Sequence, residues 1–208
     1  MKILFDGVKE FTSNDFEYNK ELFQQLSASQ KPHTLFIGCS DSRVVPNLIT
    51  KTMPGELFVI RNIANIVPFY RESNEYLATT SAIEYAVMAL DVKNIIICGH
   101  SNCGGCKALY FDESELENIP NTKRWLLLAK DAKSKAEKMI EESNIPLDKD
   151  KIVEQANIVL QLNHLLTYPM INDRHHSGKL NIYGWYYEIG SGKIFNYNFK
   201  DNTFELIE

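Results

Sequence analysis

The sequence predicts an α/β fold: a mainly parallel β-sheet flanked by helices, with an antiparallel edge at the C-terminus. Three observations carry this. Residues 34–38, 57–60 and 94–98 are short apolar runs that do not alternate with polar residues. Such runs suit parallel strands covered on both faces. Stretches of helical period separate them. The chain then ends in two strand-like runs around Gly190-Ser191-Gly192, a hairpin signal. Strands alternating with helices imply one layered α/β sheet.

The first predicted helix starts at Asn14-Asp15-Phe16-Glu17, where Asn14 caps the backbone and Glu17 reaches back as in a capping box. Phe16, Phe23 and Leu26 follow at helical spacing. Pro32 ends that helix by biasing Lys31 toward extended geometry. The strand at 34–38 comes next, then the strand at 57–60, entered through Pro54-Gly55. Residues 73–90 read as a helix, with Tyr76, Thr80, Ile83, Val87 and Leu90 on one stripe. The third strand is 94–98, and another helix opens near Cys103. An amphipathic helix at 122–140 turns Trp125, Leu128, Ala132, Ala136 and Met139 inward and leaves Lys130, Lys133, Glu137 and Lys138 in water. Pro146 separates it from a helix with Ile152, Ala156, Val159 and Leu166 inward. Strands at 180–187 and 194–199 complete the order. A chain of 208 residues suits one domain with a sizeable core. The expected organisation is a single domain over 1–208 with an N-terminal helical arm at about 12–29.

Composition narrows the function. Net charge is −5, which argues against nucleic acid and anionic membrane as main partners. No apolar run approaches the ~18 residues that span a bilayer, and Met1–Asp6 has no signal-like apolar region. The expected location is therefore the cytoplasm. In that reducing compartment the four cysteines, Cys39, Cys98, Cys103 and Cys106, read as metal-binding or catalytic rather than as a disulfide framework.

Sites in open parallel sheets form at the carboxyl ends of strands. Cys39 and His100 both stand there, and Cys103 lies one helical turn beyond His100. Two thiolates, one imidazole and an open fourth position match a catalytic zinc site. Zinc with two thiolates is formally neutral, so it acidifies water less than a three-histidine site would. An acceptor beside that water helps, and Asp41 is two residues from Cys39. Arg43 can pin Asp41 through a bidentate ion pair.

Cys39-Ser40-Asp41-Ser42-Arg43 followed by His100-Ser101-Asn102-Cys103-Gly104-Gly105 resembles the β-class carbonic anhydrases. The resemblance extends through Pro54-Gly55-Glu56-Leu57-Phe58, Arg61-Asn62-Ile63-Ala64-Asn65, Ala82-Ile83-Glu84-Tyr85-Ala86 and Leu165-Leu166-Thr167-Tyr168-Pro169. It implies reversible hydration of CO₂ to bicarbonate and a proton, with one Zn²⁺ per subunit on Cys39, His100 and Cys103 and with Asp41–Arg43 as a dyad. It also implies a narrow apolar CO₂ pocket built across a dimer interface. The matching positions are Gln30, Phe58, Ile63 and Tyr85, with the Gly104 amide facing the bound anion. The expected assembly is a dimer or tetramer. In one branch of the family the aspartate rotates onto zinc at low pH, and a bicarbonate regulatory site carries a tryptophan three residues before the first cysteine. Phe36 stands at that position here, and Gln30 matches the open branch, so the always-open form is expected, although Arg61 occurs in both.

The same residues admit other readings. The same zinc site could hydrolyse CS₂ or carbonyl sulfide. Cys106 could complete a closed Cys₃His structural site, giving a non-catalytic zinc protein, or could form a redox pair with Cys103. Cys98 reads as a buried strand residue, His175-His176 as a solvated pair, and His33 and His164 as structural. Ser40 and Ser42 read as turn and cap groups. No residue is assigned as a proton shuttle.

Overall fold

The computed structural model describes residues 1–75 and 77–208. It divides into two units, Met1–Lys31 and Pro32–Glu208. The first unit holds α1 (Lys2–Glu10), a π-helical stretch (Phe11–Asp15), α2 (Phe16–Tyr18) and α3 (Lys20–Leu26). The capping box expected at Asn14 does not form, because the helical backbone already runs from Lys2 and leaves no free N-terminus there. Glu17 pairs instead with Lys20 at 2.9 Å. Phe11, Phe16 and Phe23 form an aromatic cluster, with Phe16 stacked on Phe23 at 5.4 Å.

The second unit is built on one six-stranded sheet. Its strands are β1 (Thr34–Cys39), β2 (Leu57–Asn62), β3 (Asn94–His100), β4 (Asn181–Glu188), β5 (Lys193–Asn198) and β6 (Thr203–Leu206), in the order β2-β1-β3-β4-β5-β6. The pairs β1–β2, β1–β3 and β3–β4 are parallel, and β4–β5 and β5–β6 are antiparallel. This is the predicted α/β fold, with one antiparallel strand more than expected. The missed strand, β6, carries a short Thr-Phe-Glu-Leu alternation after a turn in which Asn202 takes φ 57°.

β1 is buried throughout and β3 nearly so. β2 is not buried on both faces as expected, and Val59 is exposed. The cause is its place at the sheet edge, which an apolar run of that length does not reveal.

The helices of this unit are α4 (Pro46–Thr50), α5 (Ala78–Glu84), α6 (Gly104–Lys107), α7 (Pro120–Leu126), α8 (Lys130–Glu141), α9 (Lys149–Leu165) and α10 (Pro169–His176). α5 starts later than the expected residue 73 and continues as a π-helical turn, Tyr85–Ala89. Thr80, Ile83 and Val87 are buried as expected, while Tyr76 lies outside the described residues. The expected helix at 122–140 is broken by a 3₁₀ turn, Leu127–Ala129. Tighter winding there shifts the helical phase. The inward set becomes Leu126, Ala129, Ala132 and Ala136, and Met139 is exposed. No helix among the described residues is long and apolar enough to cross a membrane.

α9 organises the core. Asp148 caps it, accepting from the amides of Asp150 (3.0 Å) and Lys151 (3.3 Å). Its inward face differs from the expected stripe: Ala156 is buried, but Ile152, Val159 and Leu166 are only partly so. The fully inward positions include Ile158, Leu162 and Leu165, together with Glu154, Asn157, Gln161 and His164. α9 lies close on β3 and β4 because both strands carry a glycine beneath it. A Cβ at Gly99 would stand 2.7 Å from Cγ1 of Ile158, and one at Gly184 would stand 2.8 Å from Cδ1 of Leu162 and 3.0 Å from Cγ2 of Ile158. Overpacking of this kind costs about 1–3 kcal/mol. Gly184→Ala should therefore lower the unfolding free energy by about that amount, read as a lower urea midpoint. An unchanged midpoint would contradict the close seating of α9.

Candidate metal centre

β1 and β3 are neighbours in register, so their C-terminal ends deliver Cys39 and His100 to one place. Beyond His100 the chain turns through Asn102, which takes φ 55°, and enters α6 with Cys103 at its N-cap. Among the described residues, one group of His, Cys, Asp or Glu side chains lies close enough to hold a metal. It is Cys39, His100 and Cys103, with all ligand atoms within 4.8 Å of one another and all three residues buried.

The donor set fits a metal on chemical grounds. His100 Nδ1 is 3.0 Å from the Ser101 carbonyl. A carbonyl only accepts, so Nδ1 carries the proton and Nε2 presents its lone pair. That Nε2 is buried without a hydrogen-bond partner. A soft donor set of two sulfurs and one imidazole suits zinc among the biological divalent ions. Cys106 stands outside the set; its thiol lies beside Cys103 Sγ. The group therefore has three donors, not the four of a closed site.

The thiols are held protonated in the metal-free protein. Cys39 is pushed up to about 12, chiefly by its contact with Cys103 and then by burial. Cys103 is pushed up to about 12, chiefly by its contact with Cys106, with burial adding to the effect. Burial also works against the His100 imidazolium, but the Cys39 sulfur, the Ser101 carbonyl and Asp41 outweigh it, and its pKa is raised. Metal uptake must displace these protons, so affinity rises with pH.

Asp41 and Arg43 form the bidentate pair expected. Arg43 Nε donates to Oδ1 at 2.9 Å and Nη2 to Oδ2 at 2.8 Å, while the Arg43 amide also donates to Oδ1 at 2.9 Å. Arg43 Nη2 reaches on to the Asn102 carbonyl at 3.0 Å. These bonds hold the Asp41 carboxyl well below the usual carboxylate range. Asp41 Oδ2 lies 3.8 Å from His100 Nε2. Arg61 is committed to the backbone, donating to the carbonyls of Cys39 (3.1 Å) and Asp41 (2.6 Å). Phe36 is fully buried edge-on to Trp185 at 6.4 Å.

The third wall is the turn after β2. Ala64 (φ 58°) and Asn65 (φ 47°) are consecutive left-handed residues, a strained backbone for side chains with a Cβ. Neighbours hold it in place. Asn62 bridges to Ile66 through both its amide atoms, at 2.7 and 2.8 Å. Asn157 donates to the Ala64 carbonyl at 2.9 Å. Gln161 accepts from the Val67 amide at 2.9 Å, and His164 Nδ1 donates to the Val67 carbonyl at 2.8 Å. α6 packs against this turn through Gly105, where a Cβ would fall 2.8 Å from that of Ala64.

The other expected pocket residues are distributed differently. Ile63 lines a cavity of about 400 Å³ with Ser40, Asn62 and Trp125, and the Trp125 indole donates to the Ile63 carbonyl. Gly104 is the first residue of α6, where an amide has no partner within the helix. Phe58 and Tyr85 form their own pair, with centroids 5.9 Å apart. Phe58 is in register with Leu35, four residues before Cys39, or ~13 Å down the strand. Gln30 belongs to the N-terminal unit.

His175 and His176 bond separate carbonyls, those of Leu180 and Asn172. Cys98 is a buried strand residue, as expected. Sequence reasoning missed the polar side chains of α9 and the role of Trp125. The signal available for α9 was Glu154, Asn157, Gln161 and His164 recurring at helical spacing on one face of the segment.

Comparison with known proteins agrees with this geometry. The model of the family described as Carbonic anhydrase matches residues 34–194. A carbonic anhydrase of Helicobacter pylori strain J99 is 44% identical over 206 residues, covering 98% of this chain and 93% of its own. One from Synechocystis is 40% identical over 201 residues, covering 95% and 71%. Among solved structures, the β-carbonic anhydrase CcaA superposes with a TM-score of 0.92 at 38% identity, covering all of this chain and 92% of its own. A tetrameric β-carbonic anhydrase of Sordaria macrospora gives 0.80 at 31% identity, covering 94% and 95%. With its sheet, its strand-end donor set and these relatives in agreement, the chain belongs to the β-carbonic anhydrases, a family of zinc lyases.

Proposed function

We propose that this protein catalyses the reversible hydration of CO₂ to bicarbonate and a proton, with one zinc ion per subunit held by Cys39, His100 and Cys103. The observation that carries this reading is the buried, partnerless His100 Nε2 facing two thiols beside an Arg-clamped aspartate. Zinc in that set would supply an acidified water as nucleophile and a template for the substrate. Asp41, kept ionised by Arg43, accepts the proton of the attacking oxygen as a hydrogen bond and so aims it. Arg61 fixes the backbone on which Cys39 and Asp41 stand. The Gly104 amide holds the substrate oxygen, and Ile63, Phe58 and Tyr85 exclude water from the pocket.

Phe58 lies far down the sheet from Cys39 with Tyr85 packed beside it, which suits a pocket completed by a second copy of the chain. The open edge of β2 and the exposed Val59, Ile63 and Tyr85 suit it too. A dimer or tetramer is the proposed assembly.

The always-open form is favoured by three contacts. Asp41 is bound bidentately by Arg43, Arg61 is occupied by carbonyls, and Phe36 is packed on Trp185.

Cys39→Ser should lose stoichiometric zinc, measured by metal analysis, and with it CO₂ hydration in stopped flow. A fully loaded, active variant would sink the ligand assignment. Asp41→Asn should keep zinc but turn over ~10²-fold more slowly, and a parental rate would remove Asp41 from the reaction. Asp41's lowered pKa keeps it ionised at and above its ordinary value of ~3.9. Its protonation therefore takes no part in the neutral range, where metal-bound water titrates. Activity should decline gradually with acidification, without the steep collapse below about pH 8 that closure of Asp41 onto the metal would give.

A further inference from the structure

We propose that Glu154 of α9 is a positioning residue for the metal centre, holding the Cys103 loop where its sulfur can meet Cys39 and His100. This rests on the zinc reading above and adds a residue to it. Glu154 is 3% exposed and carries no salt bridge among the described residues. Its Oε1 accepts the backbone N–H of Cys103 at 2.8 Å, and its Oε2 accepts the Tyr186 hydroxyl at 2.9 Å. Tyr186 is itself buried, on β4, in register with Gly99 of β3. The carboxylate thus ties the loop that carries one ligand to the strand beside the one that carries another.

The Cys103 amide needs that partner. As the N-cap residue of α6, Cys103 gives its carbonyl to Lys107, but its amide points away from the helix. A buried amide left unsatisfied costs about 1–3 kcal/mol. Relaxing it would require the loop to swing toward water, carrying Sγ with it. Partners that orient metal ligands in this way typically contribute 10–100-fold in metal affinity.

Divalent cobalt is a suitable probe, because its thiolate charge-transfer absorption reports how many sulfurs bind. The parent, Glu154→Ala, Glu154→Asp and Glu154→Gln would be compared after chelator stripping. Cobalt and zinc dissociation constants would come from chelator competition, and folding would be checked by circular dichroism. Glu154→Ala should weaken metal binding about 10–100-fold and reduce the thiolate absorption. Glu154→Asp keeps the charge and withdraws the acceptor by about one bond length, so it should weaken binding even if the alanine variant fails to fold. Glu154→Gln keeps an acceptor for the Cys103 amide and should stay within about threefold of the parent, well inside the range expected of a lost partner. Parental affinity and spectrum in Glu154→Asp would overturn the proposal. So would a loss in Glu154→Gln equal to that in Glu154→Ala, since charge rather than position would then matter. A parent without thiolate absorption would instead refute the metal centre itself.

Discussion

A backbone that turns left-handed inside a protein leaves amides and carbonyls that must find partners away from water. That constraint shapes this molecule. The turn at Ala64–Asn65 brings the third wall of the site against α6, and β2 satisfies only part of its backbone, through Asn62 on Ile66. α9 supplies further partners, Asn157 at Ala64 and Gln161 and His164 at Val67. The helix can reach because Gly99 and Gly184 leave no side chain between it and the strands. Close packing and polar satisfaction are thus one arrangement, and the ligand-bearing strand ends are held between them.

The electrostatics follow from the same burial. Thiols shielded from water and placed against one another resist ionisation. A cation that ionises them relieves the conflict, so the pocket is poised for metal although its thiols resist ionisation on their own. Asp41 is the opposite case. Arg43 satisfies both its oxygens and keeps it charged at the edge of the same pocket. One small region therefore holds two thiols biased toward neutrality and one carboxylate biased toward charge.

Much of this was legible in the sequence. The buried runs at β1 and β3, the two cysteines and the histidine at their ends, and the Asp-x-Arg spacing are local signals, and the structure brings those residues together. What was not legible depends on neighbours distant in sequence. The apolarity of β2 does not say that it lies at an edge. The phase slip at Leu127–Ala129 depends on a 3₁₀ turn that the Trp-Leu-Leu-Leu-Ala composition does not announce. The roles of Glu154, Asn157 and Gln161 depend on which backbone groups end up beneath α9, and those belong to segments 50 to 95 positions away. The notion of a helix with an apolar inward face held for Ala156 but missed the buried Ile158 and Leu162 and the polar residues between them.

Arg43 carries a consequence of its own. The nitrogen that grips Asp41 Oδ2 also grips the carbonyl of Asn102, the residue before Cys103. One planar group therefore spans the loop after β1 and the loop after β3. Its rigid fork acts as a gauge of the gap between them, and the direction in which Asp41 faces is set by where the Cys103 loop lies. Geometry at the acceptor and geometry at the ligand are two readings of a single spacing, so neither can drift without the other registering it.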